Sequence, residues 1–381
     1  MDKIKLGDLC NQSKGQLKEL PETVIDYIDI SSVDNESKTI TGYQTMTFAE
    51  APSRARKTVK KGNILVSTVR PNLNAVAMME ENTPNASVAS TGFCILDCKD
   101  DTDPRFVFNF CKSKAFINDM VSQATGASYP AVSDKIVRSA LVPAYSFEKQ
   151  KEIGVILDRV SLVIENRRKE LKVLDDLVKS RFVEMFGDIN VNDKGWAFQP
   201  LGELCTIVRG GSPRPIEQFL GGTVPWIKIG DATDGDSIYL TSTKEHIIEE
   251  GMKKSRLVKA GSLIFANCGV SLGFARIITF DGCIHDGWLA LEDIDDRLDK
   301  VFLLQSLNQM TEHFRKIAPA GTQPNLNTAI MKAYKQVLPP VGLQKEYIEF
   351  LEQVDKSKVA VQKALGEAQT LFDSLMQEYF G

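Results

Sequence analysis

The side chains that could carry catalysis are few and lack partners at catalytic spacing. His285 and Asp286 are adjacent and could form a dyad, but no nucleophile accompanies them. Asp158, Glu170 and Lys172 imitate the carboxylate–lysine set of a nuclease, yet they lie inside a long helical pattern. We therefore favour a turn or core role for the dyad and a structural role for the other three residues.

Motifs for phosphate and metal binding are also missing. Residues 269–273 are rich in glycine but lack the lysine and the spacing of a phosphate-binding loop. Cys94 and Cys98 have no second cysteine pair at zinc-site spacing, and the chain has three histidines. The Pro-Pro pair at 339–340 follows leucine, where an amino-methyltransferase motif would carry Asp or Asn. The sequence predicts neither a catalytic site nor a metal site.

Two windows of the sequence are basic and free of acids. Residues 51–77 contain six basic side chains and residues 251–280 contain five, although the whole chain has a net charge of −4. Cationic side chains neutralise DNA phosphates, and Arg, Asn and Gln bond base edges in the major groove. The windows and their flanks predict DNA contacts at Arg54, Arg56, Lys57, Lys60, Arg70, Asn72, Asn74, Arg209, Ser212, Arg214, Lys228, Lys253, Lys254, Asn267, Arg276, Gln323 and Asn325.

Cysteine usage and hydropathy indicate the compartment. Seven scattered cysteines do not make a disulfide framework and fit a reducing cytoplasm, with Cys10 and Cys205 expected in the core. No apolar run reaches the about 18 residues of a membrane helix, and the N terminus lacks a signal-peptide core. We expect a cytoplasmic protein without a membrane segment.

The elements that would position these residues occur twice. Residues 6–10 return as residues 201–205 with an offset of 195, and residues 59–65 return as 258–264 with an offset of 199. Loop insertions would produce such a small drift in the offset. The self-similarity predicts two copies of one unit of about 190 residues.

Each copy begins with a mixed region and a helix. Asp103 and Asp299 are placed to cap helices over residues 104–121 and 300–317. Short apolar runs between turn residues predict strands, among them 24–28, 64–68 and 263–266.

A long charged segment without proline ends each copy. Apolar positions recur there in alternating steps of four and three, which is the pattern of a coiled-coil seam. A helix of 40 residues is about 60 Å long and must bury this stripe, so we expect the two helices to pair as an antiparallel coiled coil. The predicted seam consists of Ile153, Leu157, Val160, Ile164, Leu171, Leu174, Val178, Leu351, Val354, Val361, Leu365, Phe372 and Leu375.

Ordered segments of the chain resemble the specificity subunit of type I restriction-modification systems. Gly-Gly-Ser-Pro at 210–213 and Pro-Trp-Ile-Lys-Ile-Gly-Asp at 225–231 look like the family's pattern. The resemblance covers essentially the full length. Further similar segments are 51–56, 66–73, 321–327 and 338–340.

The resemblance implies an α+β fold in which two similar mixed α/β target-recognition domains are separated by the antiparallel coiled coil, as a pseudo-twofold internal repeat. The recognition domains would be residues 1–145 and 188–341, and the conserved helices 146–187 and 342–381. Each domain would read one half of a bipartite, asymmetric double-stranded DNA site, and the helices would set the gap between the halves. The helices would also dock two modification subunits.

The resemblance further implies that this chain is not an enzyme by itself and binds no cofactor. S-adenosylmethionine would lie on the modification subunits, which methylate adenine, and restriction subunits would join to cleave. Two other functions stay open. One is a coiled-coil adaptor that binds proteins without DNA specificity. The other is a self-contained DNA methyltransferase or nuclease, which the missing motifs disfavour.

Overall fold

The chain forms two compact units, each containing parts of both long helices. The computed structural model describes residues 2–12, 21–233, 238–269, 271–319 and 325–381. Unit 1 comprises Met1–Leu171 and Ala360–Gly381, and unit 2 comprises Lys172–Val359. This division cuts through both long helices, whereas the sequence suggested boundaries at the helix ends.

Unit 1 is a mixed region followed by a long helix. Its described strands are β1 (Lys3–Lys5), β2 (Val24–Ile28), β3 (Gln44–Thr47), β4 (Ala55–Thr58), β5 (Ile64–Ser67), β6 (Val76–Met78), β7 (Ala86–Ser90), β8 (Phe93–Leu96) and β9 (Leu141–Pro143). They form a four-stranded sheet in the order β3-β2-β7-β4, a three-stranded sheet in the order β6-β5-β8 and the pair β1-β9. Its helices are α1 (Pro104–Lys112), α2 (Lys114–Gln123), α3 (Asp134–Ser139) and the greater part of α4 (Phe147–Phe186).

Unit 2 follows the same plan, with more strands among the described residues. Its described strands are β10 (Ala197–Pro200), β11 (Thr206–Arg209), β12 (Leu220–Ile227), β13 (Tyr239–Leu240), β14 (Glu245–Ile247), β15 (Arg256–Val258), β16 (Leu263–Ala266), β17 (Ala275–Ile278), β18 (Gly282–Ile284), β19 (Trp288–Glu292) and β20 (Lys335–Leu338). They form two sheets, with the strand orders β11-β19-β16-β17-β13 and β14-β12-β18-β15, and the pair β10-β20. Its helices are α5 (Leu201–Leu204), α6 (Glu249–Met252), α7 (Lys300–Gln309), α8 (Thr311–Ile317), α9 (Thr328–Ala333) and part of α10 (Val341–Phe380), whose C-terminal end belongs to unit 1.

The strand pairings confirm the internal repeat of a mixed α/β unit. β5 pairs antiparallel with β8 as β16 pairs with β19. β2 pairs parallel with β7 as β12 pairs with β18, and β1-β9 has its equivalent in β10-β20. The strands predicted at 24–28, 64–68 and 263–266 are β2, β5 and β16, with β5 one residue shorter than predicted.

The helix predicted over 104–121 is two helices, and so is its counterpart at 300–317. Asp103 caps α1 as predicted, because its carboxylate accepts the N–H groups of Arg105 and Phe106 at 2.8 and 3.3 Å. The backbone is extended at Ser113, and α1 ends there. The Ser113 hydroxyl accepts the N–H of Phe116 at 3.1 Å and thereby caps the N terminus of α2. The prediction of one continuous helix is therefore wrong.

The second copy breaks at Met310, which lies between α7 and α8 with φ −92° and ψ 9°. Asp299 caps α7 as predicted and accepts the N–H groups of Val301 and Phe302 at 2.7 and 3.3 Å.

The long helices α4 and α10 each span 40 residues and place the predicted seam on their covered side. Several side chains off the seam are open to solvent, among them Val173 with 63% of its surface exposed, whereas Phe186 and Phe380 at the helix ends are buried. The buried seam residues are Ile153, Leu157, Ile164, Val178, Leu351, Val354 and Val361. The half-buried ones are Val160, Leu171, Leu174, Leu365, Phe372 and Leu375.

The helices run antiparallel within each unit. In unit 2, Arg181 pairs with Glu346 at 3.1 Å and Asp175 pairs with Lys358 at 2.6 Å. The earlier residue of α4 therefore pairs with the later residue of α10. In unit 1, the ammonium of Lys149 near the start of α4 lies 6.0 Å from the ring of Tyr379 near the end of α10.

Equivalent buried glutamines join each long helix to the mixed region. The Gln150 side chain accepts the N–H of Asp103 at 3.1 Å, and the Gln344 side chain accepts the N–H of Asp299 at 2.8 Å. Gln344 also donates to the carbonyl groups of Arg297 and Pro339. Both capping residues are therefore positioned from the first turn of a long helix.

Candidate nucleic-acid interface

In unit 1, the predicted DNA contact Arg70 is exposed and lies beside an aromatic ring. It follows β5 in the left-handed backbone region, with φ 49° and ψ 62°. Its guanidinium lies 4.9 Å from the centre of the Tyr129 ring, and the neighbouring Asn72 and Leu73 are exposed. Tyr129 was not predicted from the sequence, although an aromatic residue between Gly126 and Pro130 in a turn-rich segment was a usable signal.

The other cations of the first window that were predicted to contact DNA are held by the fold. Arg56 is half-buried, with its guanidinium 4.9 Å from the Phe48 ring and bonded to the Ala55 carbonyl. The remaining three pair with acids from outside the window. These pairs are Arg54 with Asp29 at 2.8 Å, Lys57 with Asp134 at 2.6 Å and Lys60 with Asp97 at 3.2 Å.

Two predicted DNA contacts are buried and a third, Lys57, is half-buried, and we reassign all three to the framework of the fold. Asn267 is fully buried and donates to the Leu326 carbonyl at 3.2 Å. Asn74 is 7% exposed and donates to the Cys111 carbonyl at 2.9 Å. Lys57 donates to the Phe93 carbonyl at 2.6 Å in addition to its ion pair. Side chains committed in this way are not available to a base edge or a phosphate.

In unit 2, Arg209, Ser212 and Arg214 gather around Asp286. The Ser212 hydroxyl donates to the Asp286 carboxylate at 2.9 Å, and the Arg214 guanidinium lies 3.5 Å from it. Arg209 donates to the Asp286 carbonyl at 3.1 Å. Partial burial of Asp286 acts to raise the pKa of its carboxyl. The Ser212 hydrogen bond, together with the charges of His285 and the two arginines, outweighs burial and lowers that pKa.

The geometry of His285 does not support nucleophilic catalysis. Its Nε2 lies 3.0 Å from the Asp286 carboxylate, and its Nδ1 accepts the N–H of Gly287 at 2.9 Å. The imidazole of a catalytic triad lies between the hydroxyl and the carboxylate, whereas here the Ser212 hydroxyl bonds the carboxylate directly. The N–H of Trp288 bonds the His285 carbonyl at 3.0 Å, which confirms the turn predicted for the dyad.

A pocket of about 420 Å³ adjoins this cluster. It includes Pro213 and Trp226 from the two segments that carried the family resemblance, so the fold brings the segments together. Its lining residues are Ser212, Pro213, Arg214, Pro215, Ile216, Glu217, Trp226 and His285. Trp226 and His285 were not among the predicted DNA contacts.

The other predicted contacts of unit 2 are dispersed. Lys253 is exposed, and Lys254 is exposed with its ammonium 4.6 Å from the Phe219 ring. Lys228 pairs with Glu245. Gln323 lies outside the described residues. The two remaining residues are half-buried: Arg276, 4.8 Å from the Phe274 ring, and Asn325, which accepts a hydrogen bond from Asn267.

Two of the three nuclease-like residues, Asp158 and Glu170, have structural partners. Asp158 lies 3.9 Å from Arg105, and Glu170 pairs with Arg167 one turn away on α4. Cys10 and Cys205 are buried, as predicted. Within the described ranges, no helix is long and apolar enough to cross a membrane.

Comparisons with known proteins agree with this arrangement. Residues 1–174 and 193–368 each match the family described as type I restriction modification DNA specificity domain. The MjaIX specificity subunit of Methanocaldococcus jannaschii is 24% identical over 235 residues, which are 57% of this chain. The match spans about half of that relative, 52% of its length.

Two further similarities cover more of the chain. The HindI specificity subunit of Haemophilus influenzae is 20% identical over 369 residues, covering 76% of this chain and 79% of that protein. A solved structure described as the structural basis of complex assembly and conformational transition of the type I R-M system is also similar to this chain. The match covers 100% of this chain and 97% of that chain, with a TM-score of 0.67 and 24% sequence identity. That likeness shows the fold. Because the two family matches together cover most of the sequence, this chain belongs to the family of type I restriction-modification DNA specificity subunits.

Proposed function

We propose that this chain reads a bipartite, asymmetric DNA site, with one half-site for each unit. The observation that carries the proposal is a shared fold with different residues at equivalent turns. After β5, unit 1 presents Arg70, whereas the equivalent position after β16 in unit 2 is Gly269. Two readers that share a framework and differ in their reading residues predict two unequal half-sites.

The long helices are proposed to set the gap and to dock two modification subunits. Apolar side chains on α4 and α10 that face solvent support a docking role, because a helix pair that served only itself would gain nothing from them. Examples are Leu162, Val173, Val359 and Leu371, each at least 51% exposed. The modification subunits would carry S-adenosylmethionine and methylate adenine in the cytoplasm. This chain would contribute recognition without catalysis, and restriction subunits would join for cleavage.

Charge reversal at exposed cations tests the DNA-reading role. We expect Arg70→Glu in unit 1, and Lys253→Glu with Lys254→Glu in unit 2, to weaken DNA binding by the assembled complex. Each lost phosphate contact should reduce the slope of log K against log salt by about 1. The measurement is duplex-DNA binding at several salt concentrations, with assembly followed by size-exclusion chromatography.

The control is Lys3→Glu on β1, an exposed lysine outside both basic windows and both long helices. It should leave both DNA binding and assembly unchanged. Unchanged DNA binding by both reading variants would refute the DNA-reading proposal and favour an adaptor role.

A further inference from the structure

Tyr129 lies on a short loop that the backbone fixes next to Arg70. Thr125 and Ala131 exchange two hydrogen bonds, at 3.0 and 2.9 Å, and so close the loop 126–130. The N–H of Arg70 bonds the Pro130 carbonyl at 2.7 Å, which joins the loop to the turn after β5. Gly126 has φ +103°, and a Cβ there would lie 2.8 Å from the Tyr129 carbonyl oxygen. The loop is thus specified by a glycine and held at both ends.

The Arg70 backbone adopts a conformation that is costly for a residue with a side chain. At φ 49° and ψ 62° it is left-handed, a region in which the Cβ atom crowds the following carbonyl oxygen. Strain of this kind persists where the surrounding structure enforces it, and it concentrates at ligand-binding positions. Here the hydrogen bond to Pro130 enforces it and directs the Arg70 side chain to Tyr129.

The guanidinium of Arg70 is oriented but uncommitted. It lies 4.9 Å from the centre of the Tyr129 ring, and Tyr129 is itself 68% exposed. Among the described residues, no carboxylate pairs with Arg70. Arg54 and Arg214, by contrast, are tied to acids. The hydrogen-bond donors of Arg70 are therefore free for a ligand, and the aromatic face restricts the plane in which they lie.

We propose that Tyr129 is a specificity-determining positioning residue, which holds the Arg70 guanidinium for bidentate reading of a guanine in the half-site of unit 1. The inference rests on the proposed DNA-reading function. A guanine presents O6 and N7 in one plane, and the rigid fork of arginine matches both acceptors. A phosphate also accepts the arginine fork, but its tetrahedral oxygens accept it from several directions, so a fixed guanidinium plane matters less there. The aromatic support thus favours a base over a phosphate.

The test is a binding selection from a randomised duplex library, performed on the complex with the full chain. Wild type should prefer guanine at one position of a half-site. Tyr129→Ala should reduce that preference roughly two- to fivefold, the effect of losing an exposed cation–π contact. Tyr129→Phe should retain the preference because the ring remains. Arg70→Ala should abolish the preference, because the donors that bond guanine O6 and N7 are then absent.

Tyr43→Ala is the matched control, an exposed tyrosine elsewhere in unit 1 that should leave every base preference unchanged. A Tyr129→Ala profile identical to wild type would overturn the inference. So would a loss that is uniform across all sequences, since this would mark a phosphate contact. A wild-type complex without any base preference would refute the proposed function itself, so the two failures are distinguishable.

Discussion

Whether a basic side chain can contact DNA depends on whether an acidic residue pairs with it in the fold. Seen along the sequence, residues 51–77 lack acids, but in the fold Asp29, Asp97 and Asp134 reach three of the window's cations. Arg70 is different because its guanidinium rests on an aromatic ring. Charge counted along a chain therefore overstates the charge that a surface presents, and pairing in space determines which cations can bind a phosphate.

Gln344 supplies a residue-scale prediction about the junction of helix and mixed region. It is fully buried, and its amide makes hydrogen bonds of 2.8 to 2.9 Å to Asp299, Arg297 and Pro339. Gln344→Ala leaves those backbone groups unsatisfied and should lower the free energy of unfolding by about 1–3 kcal/mol. Chemical denaturation measures this change. Gln353→Ala, at an exposed position of the same helix, is the control, and equal stability of the two variants would contradict the role of Gln344.

At the scale of elements, each long helix ends in an aromatic residue that completes a core. Phe380 at the end of α10 packs 5.3 Å from Phe106 in unit 1. Phe186 at the end of α4 packs 4.8 Å from Phe302 in unit 2. Both phenylalanines are at most 1% exposed. The last turn of α10 therefore contributes to the stability of unit 1.

Phe380→Ala tests this assignment. Loss of a buried phenylalanine costs about 3–5 kcal/mol through lost burial and the cavity that remains. Hydrogen exchange should show faster exchange in α1 and β5 of unit 1, with the amides of β16 in unit 2 protected as in wild type. Leu371→Ala, at a position 51% exposed on the same helix, should change neither. Uniform deprotection of both units by Phe380→Ala would disprove the local role.

Local signals were sufficient for three strands and the two long helices, and insufficient for burial. Apolar runs predicted β2, β5 and β16, and the seam spacing predicted α4 and α10, because each signal depends on neighbours in sequence. The break at Ser113 was missed, since a serine within a helical pattern can either continue a helix or cap a new one. The burial of Lys57, Asn74 and Asn267 depends on residues distant in sequence, which one chain does not reveal.

At the scale of the whole molecule, a near-neutral chain is compatible with DNA recognition. The net charge of −4 disfavours strong nonspecific binding. Internal duplication supplies two reading regions on one framework, and the family match covers both. A subunit of this kind would contribute base discrimination while its partners contribute affinity for the DNA backbone.

Modified-base sequencing of host DNA, with and without this gene, tests the bipartite reading most directly. If each unit reads one half-site, deletion should remove methylated adenines from one motif, composed of two unequal defined halves and an undefined gap of constant length. An unchanged methylation pattern, or the loss of a single contiguous or symmetric motif, would contradict the bipartite reading.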